Sequence, residues 1–305
     1  MYKASIDIGS NSCLLLIARV SDQGVIDTVE SDAIVTSLGK DLDLNKAFLE
    51  ESMLATYTAL KSYLGKINQY EILSKDVIVT ATEASRVAKN SDQFFTKVKS
   101  ELGLSVVKIS GEGEAFYTAM GVLSGVETQE SKITIMDIGG ASTELITVDV
   151  NEKRIIDSVS LPVGSVRATD WIGLNEFEQK ISDIFVDNLK KYHTDKIICV
   201  AGTMTTLSAL ILGQNIFDEK AIQGHSFSQN SLSTISNELS SLSSREILER
   251  FPLCGKRASS IFGGSVVATK LINFLNISTI EISTLGLRYG VIIMGGIDER
   301  FIEKR

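Results

Sequence analysis

The feature that most constrains the fold is a short motif that occurs twice. Asp7 in the first copy and Asp137 in the second each follow an apolar run, with glycine two residues later and serine five residues later. The copies align without a gap, and each predicts a strand, a tight turn of small polar residues and a second strand. A repeat of this kind predicts two domains on one plan, because 305 residues exceed one ordinary core.

Strand and helix patterns alternate through the rest of the chain. Apolar spacing predicts helices over residues 46–68, 91–102 and 112–122, and short apolar runs predict strands over 77–81 and 106–109. Alternation of this kind is typical of an α/β protein with helices layered on sheets.

Composition argues against several function classes. The net charge of −8 disfavours nucleic-acid binding, which depends on lysine and arginine, so we expect no DNA partner. The three cysteines form no CxxC pair, which disfavours a zinc cluster or a disulfide framework. No apolar run approaches the ~18 residues that cross a membrane. We therefore expect a cytoplasmic protein without a membrane partner.

The repeated turn has the chemistry of a phosphate site. Glycine lets backbone amides converge on an anion, serine and threonine add hydroxyl donors, and aspartate can hold a metal ion against phosphate oxygens. A plain β-hairpin turn is the alternative for either copy alone. A third glycine- and threonine-rich loop at 202–206 follows the strand 196–201 and precedes a helix predicted to begin near Leu207.

Six segments in order resemble the exopolyphosphatase and guanosine-pentaphosphate phosphohydrolase family. The segments are residues 7–12, 81–86, 109–115, 137–144, 160–167 and 202–206, with 285–290 as a weaker seventh. The resemblance implies duplicated actin-like, ribonuclease H-like α/β domains with an interdomain cleft. We place domain I at 1–125 and domain II at 126–286, and the C-terminal segment 287–305 is expected to join domain I by analogy with actin-like folds.

The resemblance also implies roles for four acidic residues. Glu114 matches the family's proposed base, and the alternative is an acid that favours the first turn of a helix. Asp137 and Glu144 match the acidic pair for Mg²⁺, or another divalent cation, or for water positioning. Asp7 is the symmetric partner of Asp137 and a further candidate metal ligand, with a turn-stabilising aspartate as the alternative.

Phosphate contacts follow from the same resemblance. Arg86 matches the phosphate-contacting arginine, and the alternative is a surface arginine paired with Glu83. The expected phosphate-binding residues are Ser10, Asn11, Ser12, Gly139, Gly140, Ser142, Thr143, Gly202 and Thr203. Two positions depart from the family: Ala141 replaces a third glycine, and Gly113 stands where a polar or acidic residue is common.

The expected function is hydrolysis of a terminal phosphoanhydride bond of polyphosphate or of pppGpp, with a homodimer implied by the resemblance. Two alternatives stay open at the level of the sequence. One is a small-molecule kinase or ATPase of the same superfamily, which shares the aspartate–glycine turns. The other is a non-catalytic sensor of nucleotides or polyphosphate.

Overall fold

The computed structural model describes residues 1–21 and 26–303, which divide into two compact units. Unit 1 contains Met1–Gly121 together with the segment from Leu287 onward, and unit 2 contains Val122–Gly286. Each unit is built around one sheet.

The sheet of unit 1 has five strands in the order β3-β2-β1-β4-β5. The strands are β1 (Tyr2–Ile8), β2 (Ser12–Val20), β3 (Ile26–Val35), β4 (Ile78–Ala81) and β5 (Val106–Lys108). β1, β2 and β3 pair antiparallel, whereas β4 pairs parallel with β1 and with β5. The helices are α1 (Leu42–Asn45), α2 (Glu50–Ile67), α3 (Glu83–Val87), α4 (Ser91–Leu102) and α5 (Gly111–Leu123), with short 3-10 turns at Asn68–Tyr70 and Ser74–Asp76.

The sheet of unit 2 repeats this order as β8-β7-β6-β9-β11 and adds β10 at the edge. The strands are β6 (Lys132–Ile138), β7 (Thr143–Asp149), β8 (Arg154–Leu161), β9 (Lys196–Val200), β10 (Ser226–Ser228) and β11 (Thr279–Ile282). The helices are α6 (Ser165–Gly173), α7 (Phe177–Ile184), α8 (Ala201–Ile211), α9 (Glu219–Ile222), α10 (Gln229–Ser240), α11 (Ser244–Arg250) and α12 (Ile261–Phe274), with 3-10 turns at Asp187–Tyr192 and Pro252–Ser259.

The C-terminal segment adds α13 (Leu287–Ile293) and a 3-10 turn at Glu299–Phe301 to unit 1. In both units, three antiparallel strands continue into strands parallel to the first of them, so the two sheets share one topology. The predicted α/β class with duplicated domains is confirmed.

Apolar side chains on the sheet faces form the core of each unit, because alternate residues of a strand point to opposite faces. Ile6, Ile8 and Leu15 of unit 1 are fully buried, as are Leu145 and Ile197 of unit 2. The aspartates of the repeat lie at the ends of these buried strands, so a rigid core positions both turns.

One predicted boundary is wrong. The helix expected to begin near Leu207 begins at Ala201, so Gly202 and Thr203 lie in the first turn of α8 and not in a loop. The hydroxyls of Thr205 and Thr206 donate back to the carbonyls of Ala201 and Gly202, the i−4 bond that lets threonine sit inside a helix.

Candidate active site

The first turn of the repeat connects β1 to β2 and is closed by its own backbone. The amide of Gly9 donates to the carbonyl of Ser12 at 3.0 Å. The carbonyl of Asn11 accepts from the amide of Thr36 at 3.0 Å, and that of Ser10 accepts from Gly39 at 2.7 Å. The chain after β3 therefore supports this turn from behind.

The second turn connects β6 to β7 with the same closure. The amide of Gly139 donates to the carbonyl of Ser142 at 3.0 Å, and in both copies a Cβ on the glycine would lie 3.2 Å from that serine carbonyl. Here the supporting element is α6: the carbonyls of Gly139 and Gly140 accept from the amides of Ser165 and Val166. These first amides of α6 are thus engaged by the turn.

Two glycines that were not among the predicted site residues fit against these turns: Gly39, which lies in no predicted segment, and Gly164, which lies in the segment 160–167. A Cβ on Gly39 would lie 3.0 Å from Cβ of Ser10, and one on Gly164 would lie 2.6 Å from the carbonyl carbon of Gly140. The pairs Leu38-Gly39 and Val163-Gly164 occupy corresponding places after β3 and β8, with both apolar side chains fully buried. A search for a second, gapped segment of the repeat would have found them.

Asp137 and Glu144 stand opposite each other. They pair in register on the antiparallel strands β6 and β7, which places both side chains on one face of the sheet. Glu144 is only 2% exposed, and its carboxylate accepts a hydrogen bond of 2.7 Å from the hydroxyl of Ser160 on β8. The pair offers two neighbouring carboxylates on a rigid sheet.

Asp7 has different neighbours from Asp137. It lies opposite Leu14 on β2 and beside Thr80 on β4, whose hydroxyl donates to its carboxylate at 3.2 Å. Burial raises the pKa of Asp7 to about 6, against smaller lowering effects of the Thr80 hydrogen bond and the charge of Arg288. Without a bound cation, Asp7 therefore titrates closer to neutrality than an ordinary aspartate does.

Arg86 and Glu114 are in direct contact. Nη1 of Arg86 lies 3.2 Å from the Glu114 carboxylate and 2.7 Å from the carbonyl of Ile109, while Nη2 lies 2.7 Å from the carboxylate of Glu83. Side-chain exposure is 12% for both Arg86 and Glu114, so this is a largely buried group. Burial lowers the pKa of Arg86, but the charges of Glu114 and Glu83 outweigh it and the net shift is upward. The Glu83 partner considered as the alternative is present, but Arg86 is not a surface residue.

The start of α8 lies next to the second turn. β9 pairs parallel with β6 so that Val200 stands beside Asp137. Ala201 has a positive φ of 67°, a conformation that costs energy for a residue with a side chain and that is often retained at functional sites. A Cβ on Gly202 would lie 2.5 Å from the Arg257 guanidinium, which brings a cation to this helix start. No sequence motif marks Arg257.

The remaining predicted phosphate-binding residues line the turns and the first turn of α8. Ser10, Ser12, Ser142 and Thr203 are between 4% and 8% exposed. Thr143 is fully buried, and its hydroxyl donates to the carbonyl of Val163 at 2.6 Å. The hydroxyl of Thr143 therefore already has a structural partner. The phosphate roles of these residues and the shared cleft stay predictions.

The two departures from the family have local explanations. Ala141 is not among the described residues with a positive φ, so its side chain fits without backbone strain, and its carbonyl accepts from the Arg167 guanidinium. Gly113 lies on α5 against Phe301, and a Cβ there would lie 2.6 Å from Cβ of Phe301. A larger residue at position 113 has no room.

The described residues contain no group of three or more histidine, cysteine, aspartate or glutamate side chains able to hold a metal ion. Asp137 and Glu144 still fit Mg²⁺, which is commonly held by one or two carboxylates and completed by water and phosphate oxygens. Over residues 1–21 and 26–303, no helix is long and apolar enough to cross a membrane.

Comparison with known proteins gives relatives over nearly the whole chain. A bifunctional 3-dehydroquinate synthase/phosphatase from Fusobacterium nucleatum is 32% identical over 96% of this chain, but the chain spans only 46% of that protein. Exopolyphosphatase 2 of Mycobacterium tuberculosis is 26% identical over 88% of this chain and 89% of its own length.

Solved structures agree with the sequence relatives. The crystal structure of the Aquifex aeolicus member of the Ppx/GppA protein family is 29% identical, covers 97% of each chain and has a TM-score of 0.77. The model of the Ppx/GppA phosphatase family itself matches residues 16–295. The chain therefore belongs to the Ppx/GppA phosphatase family.

Proposed function

We propose that this chain hydrolyses the terminal phosphoanhydride bond of polyphosphate, of pppGpp or of both, and releases orthophosphate. The observation that carries the proposal is the buried contact between Arg86 and Glu114 at the start of α5. The named relatives support the same chemistry, since one is an exopolyphosphatase and one carries a phosphatase activity.

Each group has a role that the reaction needs. The carboxylate of Glu114 would accept a proton from the attacking water, and Arg86, fixed by the Ile109 carbonyl and by Glu83, would orient that carboxylate. The amides and hydroxyls of the two repeated turns and of the α8 start would bind non-bridging oxygens. Arg257 would add a positive charge beside Gly202.

We also propose a divalent cation, Mg²⁺ by preference, held by Asp137 and Glu144 with Asp7 as a further candidate. When bound, such an ion would neutralise negative charge on the phosphate and on the leaving group. The hydrogen bond from Ser160 holds the Glu144 carboxylate in place for this role. The carboxylate pair supports the choice of ion, because hard oxygen ligands suit Mg²⁺.

A phosphate-release assay tests the proposal. Polyphosphates of defined length, pppGpp and ATP are offered with Mg²⁺ to the wild type, to Glu114→Gln and to Glu112→Gln. We expect Glu114→Gln to lose about 10²–10⁴-fold in turnover, the usual contribution of a general base. Glu112 is an exposed acid in the same first turn of α5, so Glu112→Gln is the matched control.

The outcomes separate the candidate functions. Wild-type turnover in Glu114→Gln, as in the control Glu112→Gln, would rule out Glu114 as the base. Transfer of phosphate to a sugar or to acetate would favour the kinase alternative, and binding without turnover would favour the sensor. We expect short polyphosphates or the nucleotide to be preferred over long chains, because the net charge of −8 disfavours a long basic channel.

Two further properties belong to the proposal. We place the protein in the cytoplasm, supported by three free and buried cysteines. We propose a homodimer on the family resemblance, and light scattering on the purified protein measures it directly.

A further inference from the structure

The turn that presents Glu114 depends on Ser110. The amide of Glu114 donates to the carbonyl of Ser110 at 2.9 Å, and the amide of Gly113 donates to its hydroxyl at 3.1 Å. These bonds form the first turn of α5. Any movement of Ser110 therefore moves the backbone that carries Glu114.

Ser110 is held in turn by the C-terminal segment. Its amide donates to the carbonyl of Phe301 at 2.8 Å, and Ile109 forms an antiparallel bridge with Ile302. The amide of Glu303 donates to the carbonyl of Lys108 at 2.9 Å. Residues 301–303 thus run as a short extra strand along the chain that leads from β5 into α5.

The Phe301 side chain fits against α5 itself. Its Cβ lies 2.6 Å from the place that a Cβ on Gly113 would take, so the glycine is a notch for this residue. Its ring stacks on Phe116 with centroids 4.9 Å apart and meets Tyr117 edge-on at 5.7 Å. The Tyr117 hydroxyl accepts from the amide of Asp298 at 2.7 Å, which fixes the start of the same turn.

These contacts form a small core of their own. Its buried members are Ile109, Tyr117, Leu287 and Val291, and Phe116 and Phe301 pack against it. The larger apolar cluster of unit 1 has no member in common with it among the described residues. Loosening this small core is therefore expected to disturb α5 more than the unit as a whole.

We propose that Phe301 is a positioning residue for Glu114, acting through the notch at Gly113 and the turn at Ser110. This rests on the proposed function, in which Glu114 is the base. A small displacement of a catalytic group slows the chemical step more than it weakens binding. The departure at position 113 is thereby explained as one half of a matched pair whose other half is Phe301.

The test compares Phe301→Ala, Phe301→Tyr and Gly113→Ala with wild type in the phosphate-release assay. We expect Phe301→Ala to lower kcat about 10-fold with KM within about twofold, since misplacement by an ångström can cost up to 100-fold. Phe301→Tyr keeps both ring contacts and should restore most of kcat. Gly113→Ala forces the same contact apart from the other side and should also lower kcat.

Hydrogen exchange supplies a readout independent of turnover. We expect faster amide exchange in the peptide covering residues 110–118 for Phe301→Ala than for wild type. Phe274→Ala is the matched control, because Phe274 is a half-buried residue of unit 2 with a ring partner, Phe185, at 5.4 Å. It should change neither kcat nor exchange over 110–118.

Failure of this inference is distinct from failure of the proposed function. Unchanged kcat and unchanged exchange in Phe301→Ala, with Glu114→Gln inactive, would overturn the positioning role alone. A rise in KM at constant kcat would overturn it as well. Full turnover of Glu114→Gln would instead remove the base, and the exchange data would then still report whether Phe301 holds the turn.

Discussion

The two repeated turns have the same backbone and different surroundings. In each, a glycine amide closes the turn onto a serine carbonyl at 3.0 Å. Asp137, however, faces the carboxylate of Glu144, whereas Asp7 faces Leu14 and accepts from Thr80. The two copies share the backbone of the turn, and the strand opposite the aspartate has diverged.

The supports behind the turns have diverged too. The chain at Thr36–Gly39 bonds to the first turn, while the first amides of α6 and the guanidinium of Arg167 bond to the second. Because only Asp137 faces a second carboxylate, we infer that unit 2 carries the proposed cation and that the first turn contributes mainly amides and hydroxyls.

The largest expected effect directly tests whether the second turn binds the cation and the first turn does not. Asp137→Asn removes one of two paired carboxylates and should lower turnover by about 100-fold or more at saturating Mg²⁺, because loss of even an outer-shell partner of a metal costs about 10–100-fold. Asp7→Asn should cost only about 10-fold. Phosphate release measured across a Mg²⁺ titration gives both the loss and the shift in half-saturating Mg²⁺.

Asp183→Asn, an exposed position on α7, is the control for the loss of one negative charge. Equal losses for Asp7→Asn and Asp137→Asn would contradict the comparison and make the two turns equivalent.

How much of this was predictable depends on the range of the interaction. The turns at Asp7 and Asp137 could be predicted from the sequence because glycine and serine at fixed offsets encode a local geometry. The start of α8 could not be predicted, because Gly202 and the threonines have low helix propensity. The hydrogen bonds of Thr205 and Thr206 that stabilise this helix start can be identified only in the folded structure.

Contacts between segments that are distant in the chain could not be predicted from the sequence. Arg257 over Gly202 and Phe301 in the notch at Gly113 join residues with no pattern that links them. The two glycines could be identified in the sequence, but a glycine does not predict which distant residue packs into the space beside it.

A second, smaller effect concerns stability. Burial raises the pKa of Asp7 from its usual 3.8 to about 6, so the carboxylate is destabilised in the folded protein. As pH rises above 4, the unfolded state loses this proton first, and the stability that the protonated form provides is lost by the time pH has passed about 6. A shift of this size corresponds to about 3 kcal/mol at most. The side chain of Asp7 keeps some contact with solvent, which screens its charge, so we expect ~1–2 kcal/mol.

Asp7→Asn should therefore raise the free energy of unfolding by ~1–2 kcal/mol at pH 8, with little gain at pH 4. Urea unfolding in EDTA at the two pH values measures this, because a chelator removes any bound cation. Asp183→Asn serves again as the control. A variant that is less stable than wild type at pH 8 would mean that Asp7 is needed to hold the turn, the structural role considered from the sequence.

The smallest expected effect is at Ala141, where the second turn has a methyl group and the first has the side chain of Asn11 at the aligned position. Ala141→Gly restores the family's usual glycine. Because Ala141 already has an unstrained φ and its carbonyl is held by Arg167, the amides of the turn should not move, and turnover should change less than about twofold. The free energy of unfolding should fall by about 0.5–1 kcal/mol, because glycine gains freedom in the unfolded chain. Kinetics and urea unfolding of Ala141→Gly measure both effects. A large gain in kcat would show that the alanine restrains the turn. The expected result would mean that Ala141 is a neutral substitution in a turn whose geometry is set by Gly139 and α6.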